Sequence, residues 1–413
     1  MIIFDIETNG LLDDLDKVHC LVTKDTDTGE VTSYVDNIEE GLNTVQKADC
    51  IIGHNIIKFD LPALKKIYGF NYKGKVRDTL VLTRLIWSDV KDKDLTNTNF
   101  PRNLIGRHSL QAWGVRLGNY KGDYTGSWDS FNNEMLSYCI QDVHVNDTLW
   151  KKICAKNYSE KAIILEHEIA QIIWQQEQNG FEFDTKKAQL LYSNLADQRQ
   201  TIKQKLKETF SNWEIRTPFT PKVNSKKYGY TKGVPTEKVK LIEFNPSSRD
   251  HVANRLITLK GWKPQHFTND GKPKVDEEVL SNLEYPEAKL LVKYYTLEKR
   301  IGQLAEGNQA WLKLVKNNRI HGGINTNGAV TGRATHSHPN VGNVPAVHVP
   351  YGKECRSCFT APEGKVLVGA DASGLELRCL AHYLHGWDDG AYAKEILTGD
   401  IHTANQKAAG LQT

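Results

Sequence analysis

Long apolar runs are missing from this sequence of 413 residues. No stretch approaches the roughly 18 apolar residues that a membrane-spanning helix requires, and the N-terminus lacks the basic and then apolar segments of a secretory signal. With 39% hydrophobic and 25% charged residues, the composition is typical of a soluble globular protein with several domains. We therefore expect a cytoplasmic protein with no membrane partner.

Cysteines are few, and their spacing suggests no pairing. The seven cysteines are odd in number and scattered, which favours free thiols in a reducing compartment. Cys355 and Cys358 form a C-x-x-C motif, but no second pair and no closely spaced histidines accompany it. Because a zinc site needs such further ligands, we expect these two cysteines to pack in a core.

Charge is balanced overall but unevenly distributed. The net charge is +3, yet residues 1–50 carry twelve acidic against three basic side chains, and residues 199–240 carry eleven basic against three acidic ones. The first segment is suited to bind cations, and the second is suited to bind the phosphates of a nucleic acid. The alternative for each segment is a solvated charged face.

The pattern of apolar residues changes along the chain. Residues 1–150 alternate short apolar runs with helical stretches, which is typical of an α/β domain with a mixed sheet. From about residue 156 the spacing of Leu165, Ile169 and Ile172 predicts a long helix that ends at Asn179-Gly180, followed by a second helix to about Phe210. Residues 211–244 are rich in Pro, Gly, Lys and Thr and predict a basic loop or small ribbon. Helices return within 247–261 and 287–307.

Two acidic side chains follow an apolar run at the very start, in "MIIFDIETNG". Side chains at alternate positions of a strand point to the same face, so Asp5 and Glu7 are expected to stand side by side. Two adjacent anions repel each other. Either water at an exposed turn or a cation that bridges both groups must offset this repulsion.

Two later segments extend this pair. "HNIIKFDLPAL" places Asp60 at the start of a predicted helix, downstream of Asn55, and "LSYCIQDVHVN" places Tyr138 and Asp142 on one face of another helix. Taken in this order, the motifs resemble those of the DnaQ-like, or DEDD, 3′–5′ exonuclease family.

The resemblance implies a role for each of these residues. Phosphodiester hydrolysis of this kind uses two divalent ions about 3.5–4 Å apart, and Mg²⁺, with Mn²⁺ as an alternative, prefers carboxylate oxygens. Tyr138 would orient the attacking water, and four carboxylates would hold the ions: Asp5, Glu7, Asp60 and Asp142. The neighbouring Asp78 is expected to cap a helix, and His54 and His108 are expected to be hydrogen-bonded structural residues.

A second series of motifs lies in the C-terminal half. "KVLVGADASGLELRCLAH" predicts a buried strand that ends at Asp371 and then a helix that contains Glu376. Together with "NGAVTGRATH" and "GDIHT", this segment resembles motif A and its surroundings in family A DNA polymerases, the DNA polymerase I group. Nearly all of the chain resembles, in its amino-acid sequence, the replicative polymerases of short-tailed, T-odd-type bacteriophages.

This second resemblance also implies residue roles. Asp371, with the carbonyl of Ala372, would bind two Mg²⁺ ions, and Glu376 would pack under the sugar of the incoming deoxynucleoside triphosphate. His402 would reach its triphosphate, and Arg333 would contact the minor groove at the primer end. Asp400 is expected to cap a helix, and His336 and His338 are expected to lie in a loop.

We therefore expect a DnaQ-like (ribonuclease H-like) α/β exonuclease domain at residues 1–155, followed by an incomplete family A polymerase domain at 156–413. The latter comprises a mainly helical thumb at about 180–310 and the start of an α+β palm from about 315. Primer-template DNA and single-stranded DNA are the expected partners, and the basic segment supplies Lys226, Lys227 and Lys232 as DNA-binding residues.

Two departures from the family pattern qualify this expectation. The loop at 211–244 is shorter than the one through which the phage polymerases bind host thioredoxin, which argues against that partner. The fingers helix and the second palm acid of the family are also missing, so we expect a C-terminal polymerase fragment to complete the enzyme. The alternatives are a stand-alone exonuclease whose polymerase remnant only binds DNA, and a non-catalytic DNA-binding remnant.

Overall fold

The computed structural model describes residues 1–410, apart from the side chains of His402, Ala404 and Ala408. It divides into two compact units, Met1–Thr360 and a second unit that begins at Ala361. The domain boundary expected at residues 155–156 falls inside the first unit and stays a prediction. No helix within residues 1–410 is both long enough and apolar enough to cross a membrane.

The first unit begins with a mixed sheet, as the alternation over residues 1–150 predicts. In spatial order the strands are β3, β2, β1, β4 and β5, and β1 pairs antiparallel with β2 but parallel with β4. The short apolar runs of the sequence supply the central strands, where both faces of the sheet are covered. Their bounds are β1 (Ile2–Thr8), β2 (Val18–Asp25), β3 (Val31–Tyr34), β4 (Cys50–Gly53) and β5 (Lys75–Asp78).

Six helices accompany this sheet. The last of them packs against β1 and β2, where Ile3 and Val22 on the sheet meet Cys139 and Val143 on the helix. Phe4, which points to the opposite face of β1, belongs to a separate cluster. The helices are α1 (Ile38–Lys47), α2 (Asp60–Tyr68), α3 (Thr79–Ile86), α4 (Val90–Thr96), α5 (Leu110–Leu117) and α6 (Asn133–Cys154).

A second core occupies the rest of this unit. The two predicted long helices are confirmed as α7 (Glu160–Asn179), which ends at Gly180 with φ of 59°, and α8 (Thr185–Phe210). They are followed by the predicted ribbon, which consists of two antiparallel strands, and by further helices. Besides α8, the elements that follow α7 as far as α12 are β6 (Phe181–Phe183), β7 (Trp213–Phe219), β8 (Thr236–Ile242), α9 (Arg249–Lys260), α10 (Glu277–Ser281), α11 (Pro286–Ile301) and α12 (Trp311–Leu314).

This core contains the C-x-x-C pair. Cys355 and Cys358 are fully buried beside residues such as Phe183 and Trp311, and burial raises the pKa of both thiols to about 11. They are therefore packing residues, as expected. The remaining elements of the unit are β9 (Arg319–Ile320), β10 (Gly323–Asn325), β11 (Thr335–Ser337), α13 (Gly352–Arg356) and β12 (Phe359–Thr360).

The second unit corrects one prediction. Residues 365–370 do not form the buried strand expected before Asp371, and Val366 and Val368 are 81% and 87% exposed. A strand is held by hydrogen bonds to a neighbouring strand, and none lies within residues 361–410 of this unit. The described elements are three helices: α14 (Leu375–Asp388), α15 (Ala391–Thr398) and α16 (Ile401–Ala408).

Candidate metal centre

Asp5 and Glu7 lie on one face of β1, the face that α6 covers. The carboxylate of Asp5, the carboxylate of Glu7 and the thiol of Cys139 on α6 offer ligand atoms that all lie within 4.8 Å of one another. Glu7 is only 8% exposed. Asp5 is partly buried and Glu7 is buried, so the pair predicted from "DIET" does not stand at a fully exposed turn.

Asp60 joins the same cluster from the first turn of α2. Burial raises the pKa of its carboxyl well above the usual range, and the nearby charge of Asp5 adds to this effect. The loop before it turns sharply at Asn55, where φ is 68°. This turn brings the start of α2 to the edge of β1.

Asp78 fixes that loop. Its carboxylate caps α3 by accepting from the Leu80 N–H at 2.9 Å, as predicted, but it also accepts from the N–H groups of Asn55 at 2.9 Å and Ile57 at 3.1 Å. The N–H of Asp78 in turn donates to Nε2 of His167 on α7 at 2.8 Å. Asp78 thus positions Asp60 from 18 residues away.

Helix α6 contributes the remaining groups. Asp142 is buried, its Oδ2 atom accepts a hydrogen bond from Nζ of Lys121, and its Oδ1 atom has no hydrogen-bond partner within residues 1–410. One residue after Tyr138, the thiol of Cys139 donates to Oδ2 of Asp5 at 3.6 Å. Helix α6 therefore supplies the carboxylate of Asp142 and the thiol of Cys139, which orients the carboxylate of Asp5.

The acids do not ionise together. Burial raises the pKa of Glu7 to about 9, and the adjacent charge of Asp5 adds to this effect. Burial also raises the pKa of Asp5 to about 6, although the ammonium of Lys121 opposes it, and raises the pKa of Asp60 well above its usual range. Several carboxylates in one dry pocket require cationic compensation before all can carry charge.

Lys121 is the functional residue that the sequence reasoning missed. Its ammonium bonds to Asp142, lowers the pKa values of Asp5 and Glu7, and lies 4.2 Å from the centre of the Tyr138 ring. A lone lysine in the irregular segment "NYKGDY" between α5 and α6 carries no periodic signal. Only the packing of α6 against β1 brings it to the acids.

The donor set fits a divalent metal. Oxygen ligands on buried carboxylates suit Mg²⁺ and Mn²⁺, and the unpartnered Oδ1 atom of Asp142 is a buried acceptor that lacks a donor. Unpaired buried polar atoms are rare and costly. A bound cation would satisfy this atom and would permit the neighbouring carboxylates to ionise.

A cleft opens next to Tyr138. It has a volume of about 550 Å³ and is lined by residues of α6 and of the preceding loop, among them Tyr124, Ser137, Tyr138 and Gln141. Tyr124 and Trp128 lie 6.0 and 6.2 Å from the Tyr138 ring, measured between ring centres. Two aromatic side chains, Tyr124 and Tyr138, thus form part of the wall of this cleft.

The expected hydrogen bond is confirmed for His54 but not for His108, whose Nδ1 atom is buried without a partner among residues 1–410. Nδ1 of His54 lies 2.9 Å from the Thr79 hydroxyl, and burial lowers its pKa to about 3. His108 packs near Trp113, with ring centres 6.3 Å apart, and burial lowers its pKa to about 4. Both rings are therefore neutral at physiological pH.

Three of the C-terminal candidates lie at the start of α14, and one lies on α16. Asp371 and Ala372 are exposed and precede α14, and Glu376 lies in the first turn of that helix. Among the described residues Asp371 belongs to no group with metal-ligand geometry. His402 lies on α16, but its side chain is outside the described part of the chain.

Four further expectations can be placed. The Asp400 carboxylate accepts from the Thr403 N–H at 3.3 Å, so it caps α16 as predicted. Arg333 is exposed in the turn between β10 and β11. His336 is not a loop residue as expected, because it pairs with Ile324 in the β10–β11 hairpin, whereas His338 lies just beyond this strand and its N–H donates to Gln309. Lys226, Lys227 and Lys232 are exposed between β7 and β8.

Comparison with known proteins gives the class. The family model described as "DNA polymerase family A" matches residues 226–409. The DNA-directed DNA polymerases of Escherichia phage T7 and Enterobacteria phage T3 are each 38% identical to this chain, over 100% of its length and 73% of theirs. The chain therefore belongs to DNA polymerase family A.

Two other similarities are narrower. The thermostable DNA polymerase I of Thermus filiformis is 34% identical over 34% of this chain and 17% of its own length. Among solved structures, the POL domain of Pol1 from M. smegmatis, in complex with a DNA primer-template and dNTP, superimposes with a TM-score of 0.65 at 16% identity. That match covers 99% of this chain and 64% of the other, and it concerns the fold alone.

Proposed function

We propose that residues 1–155 form a DnaQ-like 3′–5′ exonuclease domain that removes nucleotides from the 3′ end of DNA. The observation that carries the proposal is the group of Asp5, Glu7 and Asp60, whose pKa values burial raises, together with the buried Asp142, whose Oδ1 atom has no hydrogen-bond partner within residues 1–410. Such a set binds cations. Asp5, Glu7, Asp60 and Asp142 would hold two ions, Mg²⁺ or Mn²⁺, which when bound supply a hydroxide nucleophile and stabilise the leaving oxygen.

The surrounding residues of the chain would orient these groups and the substrate. The thiol of Cys139 holds the Asp5 carboxylate in one orientation, and Lys121 does the same for Asp142. The Tyr138 hydroxyl would orient the attacking water. The aromatic wall of the cleft offers apolar surface to the base of the terminal nucleotide.

We further propose that the C-terminal part takes part in template-directed DNA synthesis, as its membership of the family suggests. Asp371, with the Ala372 carbonyl, would bind the metal ions of this second reaction, and Glu376 and His402 would contact the incoming deoxynucleoside triphosphate. Arg333, together with Lys226, Lys227 and Lys232, would bind primer-template DNA. Proofreading and synthesis would then act on the same primer end.

Synthesis would also require a fingers helix and a second palm acid, for which residues 1–413 contain no matching motif. Phosphoryl transfer depends on positioning and charge neutralisation, so these groups matter to the rate. We therefore infer that a C-terminal polymerase segment completes the enzyme. A stand-alone exonuclease with a DNA-binding remnant is the alternative, and primer extension by the chain with and without such a segment separates the two.

Hydrolysis of a 5′-labelled single strand tests the exonuclease proposal. The chain should shorten the strand stepwise from its 3′ end when Mg²⁺ is present and should stop when a chelator is added. The double variant Asp5→Ala, Glu7→Ala should be inactive, whereas Glu39→Ala, an exposed acid on α1, should be as active as the unaltered chain. Equal hydrolysis by the double variant or in chelator would contradict the proposal.

A further inference from the structure

The ribbon formed by β7 and β8 has two different faces. Directly opposed residues of an antiparallel pair share a face, and the register opposes Ile215 to Lys240, Thr217 to Lys238 and Phe219 to Thr236. This first face carries lysines, apolar side chains and threonines but no acid. It is defined here as the basic face of the ribbon: Ile215, Thr217, Phe219, Thr236, Lys238 and Lys240.

The opposite face is close to electrically neutral. Both of the ribbon's acids lie on it, and both pair with Arg216, Glu214 at 2.9 Å and Glu237 at 3.5 Å. By contrast, Lys238 and Lys240 make no ion pair with any acid among the described residues. The ribbon therefore separates its charge, and the uncompensated positive charge lies on one side.

Stacked aromatic rings continue the basic face at the tip of the ribbon. Phe219 meets Tyr230 edge to face with ring centres 4.9 Å apart, and Tyr230 stacks on Tyr228 at 5.9 Å and 22°. Tyr228 is 62% exposed, so its outer side is open to a further ring. Lys227 lies 5.4 Å from the centre of that ring.

We propose that this ribbon is a binding site for single-stranded DNA. Lysines along the basic face would contact successive phosphates, and the exposed side of Tyr228 would stack with an unpaired base. A duplex offers no such base along its length, because its bases already stack on one another. Five residues of extended chain span about 15 Å, which suits a stretch of a few nucleotides leading to Tyr228.

This inference rests on the proposed function only in taking DNA as the ligand, and it adds the strand type and a stacking residue. The lysines alone would bind any polyanion, single-stranded or double-stranded. Tyr228 is what favours the single strand. A role for the tip in binding a partner protein is the competing interpretation, and the test below separates the two.

The test is equilibrium binding of a fluorescent oligothymidylate to the full chain, measured by anisotropy in chelator so that no hydrolysis occurs. Tyr228→Ala should weaken binding about tenfold, whereas Tyr228→Phe, which keeps the ring, should bind as the unaltered chain does. Affinity for a blunt duplex should not change. The double variant Lys238→Gln, Lys240→Gln should lower the slope of log affinity against log salt by about 1.4.

Each other outcome overturns the proposal. Unchanged oligothymidylate affinity of Tyr228→Ala would mean that the tip serves something other than DNA, such as a protein. An equal loss on the duplex would mean that the tyrosine does not select single strands. Hydrolysis in Mg²⁺ tests the exonuclease proposal, and binding of Tyr228→Ala in chelator tests this one, so failure of the exonuclease proposal and failure of this one are distinguishable.

Discussion

The raised pKa of Glu7 makes metal binding at the acid cluster strongly dependent on pH. Below about pH 9 this carboxyl holds its proton, compared with an ordinary pKa of 4.5, and Asp60 is shifted in the same direction. A metal ion must displace the Glu7 proton in order to bind to that oxygen. Between pH 6 and 8, where Asp5 is mainly ionised, metal affinity should therefore rise with pH.

The size of this effect follows from the proton count. Each proton that the metal displaces changes the affinity tenfold per pH unit, or about 1.4 kcal/mol. The Glu7 proton alone thus weakens binding about 100-fold, or roughly 2.7 kcal/mol, when the pH falls from 8 to 6. Displacement of a proton from Asp60 would add to this difference.

Calorimetric titration of Mg²⁺ in two buffers with different ionisation enthalpies measures both the metal affinity and the number of protons released. The unaltered chain should release at least one proton per bound ion at pH 7, and Glu7→Gln should release about one fewer and show a correspondingly flatter pH dependence. Glu39→Ala should behave like the unaltered chain. An affinity that does not change between pH 6 and 8, with no proton release, would refute the reasoning.

Three further perturbations test the surroundings of the cluster. Replacement of Lys121 by Met removes the charge that lowers the pKa values of the acids, so the pH profile of hydrolysis should move to higher pH; an unmoved profile would count against its role. Asp78→Ala leaves several buried N–H groups without an acceptor and should lower the free energy of unfolding by about 2–4 kcal/mol, with a smaller loss in Asp78→Asn; a melting temperature equal to that of the unaltered chain would contradict this. Neutralising Lys226, Lys227 and Lys232 together should lower the salt slope of primer-template DNA binding by about 2.7, and an unchanged slope would exclude them from the interface.

Local patterns predicted most of the elements that position the acids. The apolar run before Asp5 forms β1, and Asn179-Gly180 ends α7. These features depend on neighbouring residues, which is why sequence spacing reveals them. The motif order likewise pointed to Asp60 and Asp142, which the fold places beside β1.

Contacts between distant segments were not predictable in the same way. The spacing of Leu165 and Ile172 predicted helix α7 but not its packing, since both are exposed while His167 is buried against β5. Lys121 reaches Asp142 only through the packing of α6, and the second function of Asp78 depends on a loop 21 to 23 residues upstream. At residues 365–370 the sequence predicted a strand that the structure does not contain, because an apolar run becomes a strand only beside a partner strand.

Binding of Mn²⁺, followed by electron paramagnetic resonance, tests the central claim that the buried acids are a metal centre. The unaltered chain and Glu39→Ala should take up Mn²⁺ equally, and the double variant Asp5→Ala, Glu7→Ala should lose the ions bound at this cluster while keeping its circular dichroism spectrum. Uptake by the double variant with the same affinity and stoichiometry would contradict the account.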